Sequence, residues 1–161
     1  APMINSAADA AAFADFCKFP PLGQRSWGPM RAMMSLGMTG PDYLAQANGL
    51  QLALAMIETR AALDALDAIL DQPGVDGVLV GPADLSIALA GGLDNGAAEV
   101  DAALTRVAGA CQARGKVAAA FCLDGPRARQ LRERGFGLVG ASLDQGLLAK
   151  AAAAELAAAR G

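Results

Sequence analysis

No histidine occurs in the 161 residues. Histidine-based triads, histidine general bases and histidine metal sites are therefore excluded within this chain. Aromatics are scarce at 4%, which argues against a stacking surface for nucleic-acid bases. An excess of basic charge is also missing: 13 Lys and Arg against 16 Asp and Glu give a formal net charge of −3. Non-specific binding to nucleic acid needs the opposite sign. The longest stretch without a charge, Tyr43 to Ile57, has 15 residues and includes Gln46, Asn48 and Gln51. It is too short and too polar to span a bilayer. Cys17, Cys111 and Cys122 are widely spaced, odd in number and form no CxxC pair. Neither a zinc knuckle nor a disulfide framework is indicated, and reduced thiols in a cytoplasmic protein are expected. The chain opens without the charged and apolar regions of a secretory signal. Ala1-Pro2-Met3-Ile4 reads instead like the tail of a strand.

What is present is a periodic pattern. Hydrophobic residues make up 54% of the chain and charged ones 18%, so disorder is excluded. Composition is uniform, without a linker, and residues 1–161 are read as one domain. Four apolar runs stand out: Leu52 to Ile57, Val75 to Val80, Val117 to Leu123 and Leu138 to Leu143. Such runs suit strands buried on both faces of a parallel sheet. Between them lie segments of helical spacing. Leu63, Leu66 and Leu70 form one apolar stripe, stopped by Pro73-Gly74; Val100, Leu104, Val107 and Cys111 form another, ended by Gly115. Residues 127–134 make a short basic helix and 145–160 an alanine-rich one. Helices are also expected over 7–17 and 42–48. The alternation predicts an α/β fold with right-handed crossovers. Asp64, Asp67 and Asp71 read as a solvated helix face, and Arg127, Arg129, Arg132 and Arg134 as another.

Two places break the local rules. Glu58 directly follows an apolar run, and Gly81-Pro82-Ala83-Asp84-Leu85-Ser86 directly follows the next one. Both fall where parallel strands end, the rim at which α/β proteins bind ligands. Adjacent parallel strands lie about 4.8 Å apart, so the two acids can converge on one hard cation such as Mg²⁺ or Mn²⁺. Gly81 permits close backbone approach, and the amides of Ala83 and Asp84 can face an anionic group. Spacing alone leaves the other reading open: a first-turn acid, a helix cap and an ordinary turn.

A resemblance carries the reading further. Ile57 to Ser86 (IETRAALDALDAIL…GVDGVLVGPADLS) resembles the core of the HpcH/HpaI aldolase and citrate-lyase family, and Lys18 to Pro29, Pro41 to Asn48 and Gly135 to Ala152 are similar to its flanking segments. The resemblance implies a (β/α)8 TIM-type barrel that cleaves 4-hydroxy-2-oxo acids to pyruvate and an aldehyde with a divalent metal. Mg²⁺ or Mn²⁺ is expected, with Co²⁺ as a third candidate. It implies Glu58 and Asp84 as the metal-binding acids, 26 residues apart. Ala83 would hold the pyruvate carboxylate through its backbone. Met56 stands where the family often has a substrate-contacting Gln; a thioether cannot donate the same hydrogen bond.

The family's catalytic histidine and carbonyl-polarising arginine are implied to precede Ala1, so no catalytic residue is assigned within the chain. Arg25 and Arg60 are the only substitutes considered for that arginine. A full barrel needs at least about 200 residues, and the chain is expected to be the C-terminal portion, about strands 4/5 to 8. The expected partners are a small 2-oxo acid and further copies of the chain, a trimer-based hexamer by resemblance, with the last helix exchanged between subunits. Two alternatives accompany this reading: a citrate-lyase-type enzyme acting on a CoA thioester, and a non-catalytic assembly module.

Overall fold

The computed structural model describes all 161 residues. Its elements run α1 (Ala7–Cys17), α2 (Met30–Leu36), α3 (Gly40–Leu50), β1 (Leu54–Ile57), α4 (Arg60–Asp64), α5 (Leu66–Leu70), β2 (Gly77–Val80), α6 (Pro82–Ala90), α7 (Ala98–Ala113), β3 (Val117–Cys122), α8 (Gly125–Glu133), β4 (Leu138–Ala141) and α9 (Asp144–Arg160). The strands form one sheet in the order β1-β2-β3-β4, every pair parallel. This is the α/β fold expected, a four-stranded part of a TIM-type barrel.

Strand parity decides what the sheet buries. Ala55, Ile57, Val78, Val80, Ala118 and Ala120 point to one face, where Leu66, Ile69, Leu70, Val100 and Val107 close over them from α5 and α7. Each fully buried aliphatic side chain there contributes about 1.5–3 kcal/mol. The opposite face carries Leu54, Met56, Leu79 and Phe121, all half-buried, with Ala119 alone fully buried among them. The expectation of burial on both faces is thus corrected. Helices cover one face, and four strands cannot curl into a closed barrel around the other.

The strands are also shorter than their apolar runs. Ahead of β1 and β2, the Asp76 carboxylate takes the Ala53 amide at 2.6 Å and the Lys18 ammonium at 2.6 Å. Lys18 is 1% exposed and also donates to the carbonyls of Asn48 (2.8 Å) and Gln51 (2.7 Å). This buried ammonium ties α1, the end of α3 and the amino ends of both strands together. A small second cluster of Phe19, Tyr43 and Ala47, with Trp27 beside it, packs the segment between α1 and α3.

The helix expected after Glu58 is divided at Ala65 into α4 and α5. Side-chain caps start several helices: Ser6 accepts from the Asp9 amide, Thr59 from Ala62 and Asp124 from Arg127. Part of each set read as a solvated face forms ion pairs with a residue outside both sets, while Asp64, Arg129 and Arg132 form none. Arg114 pairs with Asp67 (3.0 Å) and Asp71 (2.7 Å), and Asp101 pairs with Arg127 (2.7 Å) and Arg134 (2.8 Å). No helix is long and apolar enough to cross a membrane.

Candidate active site

Glu58 follows Ile57, which pairs in register with Val80, so Glu58 and Gly81 stand side by side at the carboxyl ends of β1 and β2. Parity turns Glu58 toward the same face as Met56. Its carboxylate is only 4% exposed. The left-handed backbone of Met3 (φ 57°) delivers an amide to Oε2 at 2.9 Å. The start of the chain holds this arrangement: the Ala1 amino group donates to Leu54 O (3.0 Å) and Met56 N to Ala1 O (2.9 Å), a short parallel pairing along β1. Thr59 Oγ1 donates to Asn5 Oδ1, and Asn5 Nδ2 to Met3 O at 3.0 Å.

Gly81 is explained by this neighbour. Its backbone is ordinary (φ −89°), but a Cβ would fall 2.5 Å from Glu58 Oε1 and 2.9 Å from its Cγ. The close approach anticipated between Gly81 and a ligand is, in the structure, an approach to the Glu58 carboxylate. From Gly81 the chain enters α6 with Pro82 in the first turn, followed by Ala83 and Asp84. First-turn amides have no partner within a helix, and this end has no side-chain cap. The Ser86 hydroxyl, fully buried, donates to Ala83 O at 2.7 Å and fixes the turn from below.

Met56, Glu58, Gly81, Ala83 and Asp84 line one cleft of about 270 Å³, walled further by Leu79, Phe121, Leu123 and Asn95. Every site residue expected from the sequence is in it. The two arginines considered as substitutes are not. Arg25 stacks on Phe19, 4.9 Å from the ring centre, and Arg60 is exposed in the first turn of α4. Among the thiols, Cys122 reaches the cleft wall and donates to Asp124 O at 3.4 Å. Cys111 lies on the buried face of α7, and desolvation pushes its thiol up, away from the reactive thiolate.

Glu58 is buried and Asp84 exposed, and neither forms an ion pair, although five exist elsewhere in the chain. A buried carboxylate without a cationic partner is costly, and such groups are ordinarily paired or bound to a metal. Two carboxylates with water and ligand oxygens suit a hard divalent ion. No group of three or more His, Cys, Asp or Glu side chains assembles in the chain; the side-chain oxygens lining this cleft are those of Glu58, Asp84 and Asn95. Asn95 went unnoticed in the sequence. A lone asparagine between Asp94 and Gly96 reads as a turn residue, and no spacing rule links it to position 58 or 84.

Comparison with known proteins agrees with this architecture. The chain is 41% identical over 162 residues to a hydroxypyruvate/pyruvate aldolase of Rhizorhabdus wittichii, covering 99% of this chain and 63% of the relative. It is 38% identical over 153 residues to a 4-hydroxy-2-oxo-heptane-1,7-dioate aldolase of Salmonella paratyphi C, covering 95% of this chain and 58% of that one. The chain thus spans about three fifths of the length of these curated relatives. A crystal structure of an HpcH/HpaI aldolase/citrate lyase family protein from Burkholderia cenocepacia superposes with a TM-score of 0.86 at 33% identity, over 99% of this chain and 63% of that one. Residues 1–151 match the profile of the same family. On sequence and on fold alike, this chain belongs to the HpcH/HpaI aldolase/citrate lyase family.

Proposed function

We propose that this chain carries the metal and 2-oxo-acid site of a divalent-metal-dependent aldolase, which cleaves 4-hydroxy-2-oxo acids to pyruvate and an aldehyde. The observation that carries the reading is the buried, unpaired Glu58 carboxylate sharing a cleft with Asp84 at the start of α6. Glu58 and Asp84 would hold the ion, with Mg²⁺ or Mn²⁺ favoured by an all-oxygen donor set. When bound, such an ion supplies Lewis-acid stabilisation of the charge that develops as the C3–C4 bond breaks. The residues do the rest. The Ala83 and Asp84 amides, at the positive end of α6, orient the substrate carboxylate. Met56 and Leu79 offer apolar contact to the carbons of the 2-oxo acid and keep water from them. Gly81 leaves room for Glu58, and the Met3 amide holds one carboxylate oxygen so that the other is presented at a fixed angle. The cleft contains no histidine, so its part in the reaction is binding, orientation and charge stabilisation. Three unpaired thiols support a cytoplasmic setting.

The reading is tested by calorimetric titration of pyruvate in the presence and absence of Mg²⁺. Pyruvate is expected to bind only with the ion present, and Glu58→Gln and Asp84→Asn to lose at least tenfold in affinity. Equal pyruvate binding without Mg²⁺, or full Mg²⁺-dependent binding in both variants, contradicts it.

A further inference from the structure

The cleft that holds Glu58 and Asp84 does not end at Phe121. A second cleft of about 290 Å³ shares Pro82, Asn95, Phe121, Cys122 and Leu123 with it and runs on to Asp124 and Arg127. The two adjoin at the carboxyl rim of the sheet, and Asn95 lines both.

The backbone of Asn95 is held on both sides. Asp94 Oδ1 accepts from Gly96 N (3.0 Å), Ala97 N donates to Asp94 O (3.1 Å), and Arg127 Nη2 reaches Asn95 O at 3.5 Å. The carboxamide is not held in the same way: its Oδ1 is buried and accepts no hydrogen bond. Buried polar atoms in native proteins nearly always have a partner, and an orphan calls for an explanation. None of the side chains lining the two clefts is free to donate to Oδ1, and the other buried atom without a partner, the donor Arg134 Nη1, belongs to a guanidinium paired with Asp101. Pro82 has no N–H, Phe121 and Leu123 present carbon, and Cys122 already donates to Asp124 O. Arg127 is committed to Asp101 at 2.7 Å and Gln130 at 3.1 Å. The terminal torsion of asparagine is soft, so Oδ1 can turn to a donor arriving in the clefts.

On the proposal that the two-acid cleft binds the 2-oxo-acid head, we infer that Asn95 is a specificity-determining residue that accepts a hydrogen bond from a hydroxyl on the aldehyde-derived half of the substrate. The chemistry at the junction selects this donor. A carboxylate has no proton to give, and an ammonium would meet the Arg127 guanidinium. A hydroxyl is neutral and donates one bond, and its carbon chain packs against Pro82, Phe121 and Leu123. The favoured aldehydes therefore carry a hydroxyl next to the carbonyl rather than a plain alkyl chain. A site built around a hydrogen bond to a hydroxyl discriminates against the analogue that lacks it, because the buried acceptor is then left unpaired.

The test uses two acids that cannot undergo aldol cleavage because both lack a C4 hydroxyl: 2-oxopentanoate and 5-hydroxy-2-oxopentanoate. Each is titrated calorimetrically into the chain with Mg²⁺ present. The hydroxylated acid is expected to bind about tenfold more tightly. Asn95→Leu, similar in volume but without an acceptor, brings the two affinities within twofold, and Asn95→Asp, which keeps an acceptor, retains the preference. Thermal midpoints confirm that the variants fold. Equal affinities in the unaltered chain, or a preference that survives Asn95→Leu, overturn the inference while leaving the two-acid site standing. Failure of both acids to bind the unaltered chain removes the 2-oxo-acid reading, and the role of Asn95 with it.

Discussion

At position 81 the absence of a side chain matters more than backbone freedom. The backbone there is one that any residue adopts, yet a single methyl would sit 2.5 Å from Glu58 Oε1. Gly81→Ala is therefore expected to displace the Glu58 carboxylate without unfolding the chain. Mn²⁺ affinity, followed by electron paramagnetic resonance, should fall at least tenfold while the thermal midpoint moves little. Unchanged Mn²⁺ affinity would show that the contact is relieved without cost to the site. Lys18 is the opposite case, a residue whose role is structural. Lys18→Met leaves Asp76, itself 30% exposed, and two carbonyls without their buried donor, a loss of about 1–3 kcal/mol. Urea denaturation should show a loss of that order; a change below about 1 kcal/mol would place the ammonium among weak surface pairs.

The residues of the two-acid cleft were legible in the sequence because position does most of the work. Glu58, directly after an apolar run, has one place to go, whereas Asp84 lies four residues past β2 in the first turn of α6 and was singled out by the Gly81-Pro82-Ala83-Asp84 turn and the family resemblance. Asn95 was not legible, since its significance lies in a missing partner, which only three-dimensional packing reveals.

At the scale of elements, Asp101 clamps α7 to both ends of α8. Hydrogen bonds from Arg134 and then Arg127 hold its carboxyl at about 2, below the ordinary carboxylate range. A depressed value means that the ionised clamp contributes fully above about pH 4. That contribution is lost as the pH falls through 2. Asp101→Asn should lower the thermal midpoint at pH 6, and its gap from the unaltered chain should narrow from pH 4 downward. The pair is partly exposed, so the effect is small, about 1 kcal/mol. A gap constant from pH 6 to pH 2.5 contradicts the assignment.

The strands and the long helices followed from periodicity, and α1 agrees with its expected bounds of 7–17. Elements went unread where local signals conflicted. α6 begins with Gly81-Pro82, which reads as a turn although proline in the first turn of a helix is favourable. α2 buries no residue and has no side-chain cap, so it leaves no periodic trace. The start of β1 was overestimated because the Ala53 amide donates to the Asp76 side chain instead of a backbone carbonyl, although Asp76 N still donates to Ala53 O at 2.9 Å.

For the whole molecule, the sheet has one helix-covered face and one open face, and β4 pairs only with β3. α9 carries no buried residue along its 17 positions, and Leu147, Leu148 and Leu156 are exposed at 57%, 73% and 55%. Most helical stability in proteins comes from tertiary packing of an apolar face, so α9 is expected to pack against another copy of the chain. Light scattering should give a mass that is a multiple of 16.2 kDa, and Leu147→Glu with Leu148→Glu should shift it to smaller species. A folded monomer in the unaltered chain would contradict this assembly.

The account rests on Glu58 and Asp84 acting together on one hard cation. The most direct measurement is a Mn²⁺ titration of the unaltered chain, Glu58→Gln and Asp84→Asn, read by electron paramagnetic resonance. One ion per chain in the unaltered protein, and at least a tenfold loss in each variant, is the predicted result. Stoichiometric binding that survives both substitutions would contradict it.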